Sequence, residues 1–212
     1  MPKETGIIFS TPLVPKVLDG TKTVTRRLRG LKEINENPDD WGYLFSVGHS
    51  EFGFINRKTD DCIVLKCPYG GVGDWLRLKE TWAVRAYFAD RQAADVEYQA
   101  GGFENRPCAI AEYDKWIGSQ AKYNREWNSS LFMPKWASRK KMPIVSVTPV
   151  RLQTITEEDA VVEGMQPYYN YQGILKAPAR GVFHVTWNIL NPKYPWAGNF
   201  WAWRIEWREM LR

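Results

Sequence analysis

Residues Asp19 to Arg27 read Asp-Gly-Thr-Lys-Thr-Val-Thr-Arg-Arg, and they place turn chemistry, hydroxyls and cationic side chains in nine consecutive positions. Between Lys16 and Lys32 there are six basic residues (Lys16, Lys22, Arg26, Arg27, Arg29 and Lys32) and a single acid, Asp19, a local +5 that equals the net charge of the whole chain. The rest of the chain is therefore balanced, and the positive field is concentrated in this stretch. Such a cluster suits phosphate or another anion, since Arg offers a planar fork to phosphate oxygens. A solvated basic face is the alternative that charge alone leaves open. Hydroxyls at Thr21, Thr23 and Thr25 stand beside Lys22 in the same stretch. Two further carboxylates, Glu80 and Glu163, stand out as potential partners.

The elements around these residues set their geometry. Gly6 to Phe9 is a short apolar run and reads as a buried strand. Ser10 offers a helix cap, Pro12 to Leu18 follows as a short helix, and Gly20 stops it. Thr21, Thr23, Val24 and Thr25 are β-branched and leave that helix as loop or strand. In a regular strand Lys22 and Thr25 point to opposite faces, so cooperation between them requires irregular backbone. In Trp75 to Trp82 the residues Leu76, Leu78, Glu80 and Trp82 share one face. A carboxylate on that face needs a partner, and the nearest candidates in sequence are the cations of the 19–27 stretch. Thr156 caps a two-turn helix with acids in its first turn, and Gly164 ends it. Glu163 thus sits at a helix C-terminus, where the dipole disfavours its charge and a cation from elsewhere is needed.

Three strand-like runs, Tyr43 to Val47, Glu51 to Asn56 and Cys62 to Cys67, make an antiparallel meander within an insertion near 31–68. Residues near 85–131 show little periodicity and are expected to be a long, partly ordered excursion. Lys135, Trp136 and Arg139 form a second cluster of cations beside an aromatic, fit for backbone phosphates and stacked bases or for packing a loop. Met142 to Gln153 is extended, Ala179 to Asn191 is an amphipathic helix, and Phe200 to Trp207 is a closing strand with four large apolar residues on one face. His184 lies on that helix without a partner nearby in sequence and reads as structural.

Composition bounds the class. With 212 residues, 44% hydrophobic and 25% charged, the chain is expected to be one elaborated globular domain. Eleven Trp, ten Tyr and nine Phe exceed ordinary usage and supply both core and stacking surfaces. Three Cys, with no apolar leader and no run long enough for a membrane span, lead to the expectation of a cytoplasmic protein with no membrane partner. No short-spaced Cys pair accompanies His49, Cys62, Cys67 and Cys108, and no Gly-rich phosphate loop precedes a helix, so neither a metal nor a cofactor is expected.

The run Gly20-x-Lys22-x-x-Thr25-x-Arg27 after a strand and short helix resembles the signature of the ASCH domain family, a relative of PUA-like RNA-binding modules. Further landmarks follow in order: Gly73-Asp74-x-Leu76 with Lys79-Glu80-Thr81-Trp82, Arg151 to Ala160 with Glu163-Gly164-Met165, then Phe183 to Trp187 with Asn199 to Trp203. Met133 to Arg139 is similar to a segment of longer members of phage and bacterial origin. The resemblance implies an α+β fold, a small PUA-like β-barrel with flanking short helices and two insertions. It implies binding of RNA, a nucleotide or a nucleoside in a basic cleft, with Arg26, Arg27, Glu80, Trp82, Lys135, Trp136 and Arg139 as contacts. Small members of the family deacetylate 4-acetylcytidine, and by that resemblance the catalytic roles of an amidohydrolase fall on Lys22, Thr25 and Glu163. A ribonuclease or a protein-interaction module is the other function class the sequence leaves open.

Overall fold

The computed structural model describes residues 1–209. The chain runs β1 (Glu4–Ile8), α1 (Val14–Leu18), β2 (Val24–Arg27), β3 (Trp41–Ser46), β4 (Glu51–Asn56), β5 (Cys62–Lys66), β6 (Trp75–Lys79), β7 (Trp82–Phe88), β8 (Ala93–Tyr98) and β9 (Phe103–Pro107). It continues through α2 (Ile110–Lys122), β10 (Lys141–Arg151), α3 (Glu157–Val162), β11 (Tyr168–Tyr169), β12 (Leu175–Ala177), α4 (Ala179–Leu190) and β13 (Trp201–Trp207). The class is mixed α+β, mostly strands in several sheets with a few short helices.

The central sheet has the order β1-β6-β10-β13-β2. Its β1–β6 pair is parallel and the other pairs are antiparallel. β10 changes partner along its length: Lys141 to Pro143 pair with β6, and Ile144 to Arg151 pair with β13 after a register shift at Ile144/Ser146. An irregularity there lets one long strand serve two neighbours in different directions. β1 and β2 stand at the two ends of the strand order, with no ladder pairing between them among the described residues.

Alternation explains why β13 is central. Trp201, Trp203, Ile205 and Trp207 all point into the core and are buried, as a period of two requires. The β3-β4-β5 meander packs on the same core: the Phe52 and Phe54 rings lie 5.0 and 6.5 Å from Trp203, and Phe54 lies 5.4 Å from Trp201. The meander is where the sequence places it, yet its aromatics belong to the main core.

The segment near 85–131 differs from expectation. Instead of a partly ordered excursion it forms the β7-β8-β9 sheet with α2 laid against it. Trp82, Val84, Val96 and Tyr98 of the sheet meet Tyr113, Trp116 and Ile117 of α2 in a separate cluster. The strand expected from Trp75 to Trp82 breaks after Lys79, and Trp82 opens β7. Ser10 also differs: its side chain makes no cap bond, and its backbone carbonyl accepts from the Leu13 N–H at 2.8 Å. Thr156 does cap α3, accepting from the Asp159 N–H at 3.1 Å. α3 and α4 share a third cluster through Ile155, Ala160, Phe183 and Trp187.

Candidate functional site

Lys22 reaches Glu163 because one backbone contact folds the loop back on α1 and another joins it to the end of α3. Gly20, at φ +83°, turns the chain out of α1. The Lys22 N–H then donates back to the Lys16 carbonyl at 2.7 Å, and the Thr23 N–H donates to the Val162 carbonyl at 2.9 Å. Glu163 is the residue that caps α3, and Gly164 follows at φ +86°. The irregular backbone that the chemistry requires is thus at Lys22, outside the ladder. Thr25 sits in regular pairing opposite Ile205.

The side chains form a chain of charges. Lys22 Nζ donates to Glu163 Oε2 at 2.8 Å, to the Glu163 carbonyl at 2.7 Å and to the Val24 carbonyl at 2.7 Å. An ammonium has three protons, so all are committed and none is left for Thr25. Glu163 Oε1 accepts from Arg26 Nη1 at 3.0 Å, and Arg26 Nη2 donates to Asp159, which Arg204 also grips at 3.0 Å. Glu163 has therefore found the cations that its helix position calls for. Lys22 is 1% exposed and Glu163 3%. Burial pushes the Lys22 pKa below the usual lysine value; Glu163 pulls it up, and Arg27 and Arg26 add to the depression.

Arg27 is placed differently. Its Nη2 donates to the Ile8 carbonyl at 2.7 Å and its guanidinium lies 5.0 Å from the Phe9 ring centre. Its Nε is buried without a partner, burial lowers its pKa, and no carboxylate pairs with it among the described residues.

Lys22, Thr25, Arg26, Arg27 and Glu163 all line one cavity of about 360 Å³ between the β1–α1 junction, β2 and α4. Phe9, Leu13, Met165, Phe183 and Trp187 supply apolar and aromatic walls. Three cations against one carboxylate give the lining a net +2, a field that attracts anions. The volume and the mix of apolar wall with a few converging polar groups are those of a small-ligand site.

The chain matches no known family model, curated protein or solved structure.

The remaining sequence candidates lie away from the cavity lining. Glu80 pairs with Arg139 and with none of the cations of the 19–27 stretch: both carboxylate oxygens accept at 2.8 Å, from Nε and Nη2. Arg139 also lies 4.1 Å over the Tyr98 ring. Burial raises the Glu80 pKa and Arg139 opposes it. Trp82 is fully buried, with Trp116 at 5.0 Å and Trp136 at 5.7 Å in edge contacts, so no face is open to a base. Lys135 is exposed nearby. This group joins the β7–β9 sheet to β6 and the start of β10, as a structural pair and its packing.

Sequence reasoning missed Asp159, Arg204 and the apolar walls. The acid at 159 was visible in the first turn of α3, but nothing local pairs it with Arg26, 133 residues away. His184 stacks on Trp196 at 5.0 Å, consistent with a structural role. Among the described residues no group of three or more His, Cys, Asp or Glu is arranged to hold a metal. No helix among them is long and apolar enough to cross a membrane.

Proposed function

We propose that the cavity is the ligand site of an ASCH-type, PUA-like module that binds RNA or a nucleotide. The observation that carries the reading is the pairing of a cation without a carboxylate, Arg27, with aromatic walls around a cavity of about 360 Å³. Phosphate pairs with the Arg27 guanidinium charge, of which Nη2 alone is committed, to the Ile8 carbonyl, the planar base takes the Phe9 and Phe183 side, and the Lys22–Glu163–Arg26 network fixes the floor. Here Glu163 serves to hold Lys22 and Arg26 in place, since both its oxygens are committed to them. Binding of nucleotides or single-stranded RNA at low salt, weakened by Arg27→Ala, tests this reading; no affinity for any of them rejects it.

A second reading, hydrolysis of the acetyl amide of 4-acetylcytidine, is favoured by one observation: Thr25 lines the same cavity as a lysine whose pKa burial depresses. Lys22 becomes a base after passing one proton to Glu163, 2.8 Å away. The amine then takes the Thr25 hydroxyl proton as the oxygen attacks the acetyl carbonyl. Collapse breaks the C–N bond, the exocyclic nitrogen leaves with the proton held by Lys22, and water hydrolyses the acetyl-Thr25 ester to acetate. Release of cytidine and acetate by the wild type, abolished in Lys22→Ala, supports this; an inert wild type rejects it for that substrate.

A further inference from the structure

A second cavity, of about 410 Å³, lies between α2 and the loop that follows it, and it shares no lining residue with the first. Its frame is tied to the β7–β9 sheet. The Asn128 N–H donates to the Trp82 carbonyl at 2.7 Å, and Asn128 Nδ2 donates to Gln120 Oε1 at 2.8 Å. That oxygen also accepts from the Val84 N–H at 3.0 Å. The Arg125 N–H donates to the Gln120 carbonyl at 2.9 Å, which folds the loop back on the end of α2. The wall is thus pre-formed, and its volume is that of a small-ligand site.

The polar groups that face this space are rich in donors. Lys115 and Ser119 are four positions apart on α2 and so are neighbours on one face. Arg125 Nη2 donates to Ser119 Oγ at 3.3 Å, which brings the second cation to the same place. Neither Lys115 nor Arg125 forms an ion pair among the described residues. Ser119 Oγ accepts from Arg125, and Ser129 Oγ accepts from the Leu131 N–H, so both hydroxyl protons remain free to donate. No carboxylate lines the cavity, and the rest of the wall is aromatic: Trp116 with the exposed Tyr123 and Phe132. Each cation adjoins a ring, Arg125 at 4.7 Å from the Tyr123 ring centre and Lys115 at 5.5 Å from that of Trp116.

Two cations and two free hydroxyl protons call for an anion, and the rings call for a flat apolar body beside it. A nucleic-acid strand does not suit the wider field. From Ile110 to Phe132 the acids Glu112, Asp114 and Glu126 balance the bases Lys115, Lys122 and Arg125. The segment therefore lacks the positive groove that tracks a phosphate backbone. Attraction is confined to short range, which favours a single compact charge. A carboxylate carried on an aromatic ring has that charge and the flat body together.

We propose that this cavity is a separate ligand site for a small aromatic monocarboxylate. The carboxylate is held by Arg125, Lys115 and the Ser119 hydroxyl, and the ring lies against Trp116, Tyr123 and Phe132. The site is independent of the nucleotide reading of the first cavity and gives the insertion near 85–131 a binding role of its own.

Titration of the isotope-labelled whole chain with phenylacetate and with its neutral isostere phenylacetamide, followed by nuclear magnetic resonance, tests this. The acid is expected to bind about tenfold more tightly than the amide, the difference made by one charge-assisted hydrogen bond. Arg125→Ala lowers the affinity for the acid about tenfold and leaves that for the amide unaltered, so the preference disappears. Phe132→Ala weakens both ligands about equally. Both side chains are exposed, so neither change threatens the fold. Absence of phenylacetate binding, equal affinity for acid and amide, or a preference that survives Arg125→Ala overturns the proposal. An affinity for the acid that is lowered by Arg27→Ala and untouched by Arg125→Ala also overturns it, because the probe then sits in the first cavity.

Discussion

Lys22 Nζ lies 2.8 Å from Glu163 Oε2, although the two residues are 141 positions apart and both are almost completely buried. The Thr23 to Val162 backbone bond brings them together, and the desolvation of two charges is offset only because every proton of Lys22 and both oxygens of Glu163 have partners.

Removing one member leaves the other charged and unpaired. Glu163→Ala is expected to destabilise the fold by about 3–5 kcal/mol, and the double change Lys22→Met with Glu163→Leu by clearly less, because it removes both charges and keeps volume. Urea unfolding at neutral pH measures both. A double variant as unstable as the single one would show that the pair is not what holds this loop to α3.

Glu80 and Arg139 make the same kind of pair in a structural role. Arg139→Ala is expected to cost about 3–5 kcal/mol while leaving nucleotide affinity unaltered, since neither residue lines the cavity. The pH dependence has a definite sign. Burial raises the Glu80 pKa above 4.5, so its contribution is most favourable below 4.5 and is lost as pH rises through the folded value. The Arg139→Ala penalty is therefore larger at neutral pH than in mild acid, which unfolding curves at both pH values would reveal.

Asp159 has the opposite sign. Burial raises its pKa, but hydrogen bonds from Arg204 and Arg26 outweigh that and leave it below 3.8. Its contribution is present above pH 3.8 and fades as pH falls toward the folded value. Asp159→Asn should cost about 1–3 kcal/mol at neutral pH, with a difference from wild type that shrinks in acid. A difference independent of pH would contradict the assignment.

Gly164 stands at φ +86° against the Lys16 and Lys22 stems, with Cβ space of only 3.2 and 3.4 Å. Gly164→Ala is expected to destabilise by about 1–2 kcal/mol from backbone strain alone and to displace Lys22. Thermal unfolding together with nucleotide titration checks both effects.

Several elements were legible in the sequence: β4 and β5 as runs between turn clusters, β10 as a β-branched extended stretch, β13 by alternation, α3 by its Thr156 cap, α4 by its apolar face. β8 and β9 were not. Their sequences, Ala-Ala-Asp-Val-Glu-Tyr and Phe-Glu-Asn-Arg-Pro, are poor in β-branched residues, and their order comes from long-range pairing: β8 on β7, with Val96 and Tyr98 in the cluster that α2 joins, and β9 on β8. In α2 the apolar residues Ile110, Tyr113, Trp116 and Ile117 have helical spacing, diluted by charges and Gly118. The convergence of Lys22, Thr25 and Glu163 on one cavity was visible through motif order. Arg139 as the partner of Glu80 was not, because sequence distance does not rank cations. Trp beside Lys and Arg reads alike whether the ring stacks on a base or, as for Trp82 and Trp136, packs edge-on against another Trp.

The central claim is that the Arg27-bearing cavity holds a nucleotide through its phosphate. Its most direct test is the affinity of the wild type, Arg27→Ala and Lys135→Ala for a labelled single-stranded RNA over a series of salt concentrations. The account predicts measurable binding at low salt, an affinity that falls steeply with salt, and a slope of log K on log salt that is smaller by about 0.7 in Arg27→Ala and unaltered in Lys135→Ala. No binding at low salt, or an Arg27→Ala variant indistinguishable from wild type, would contradict it.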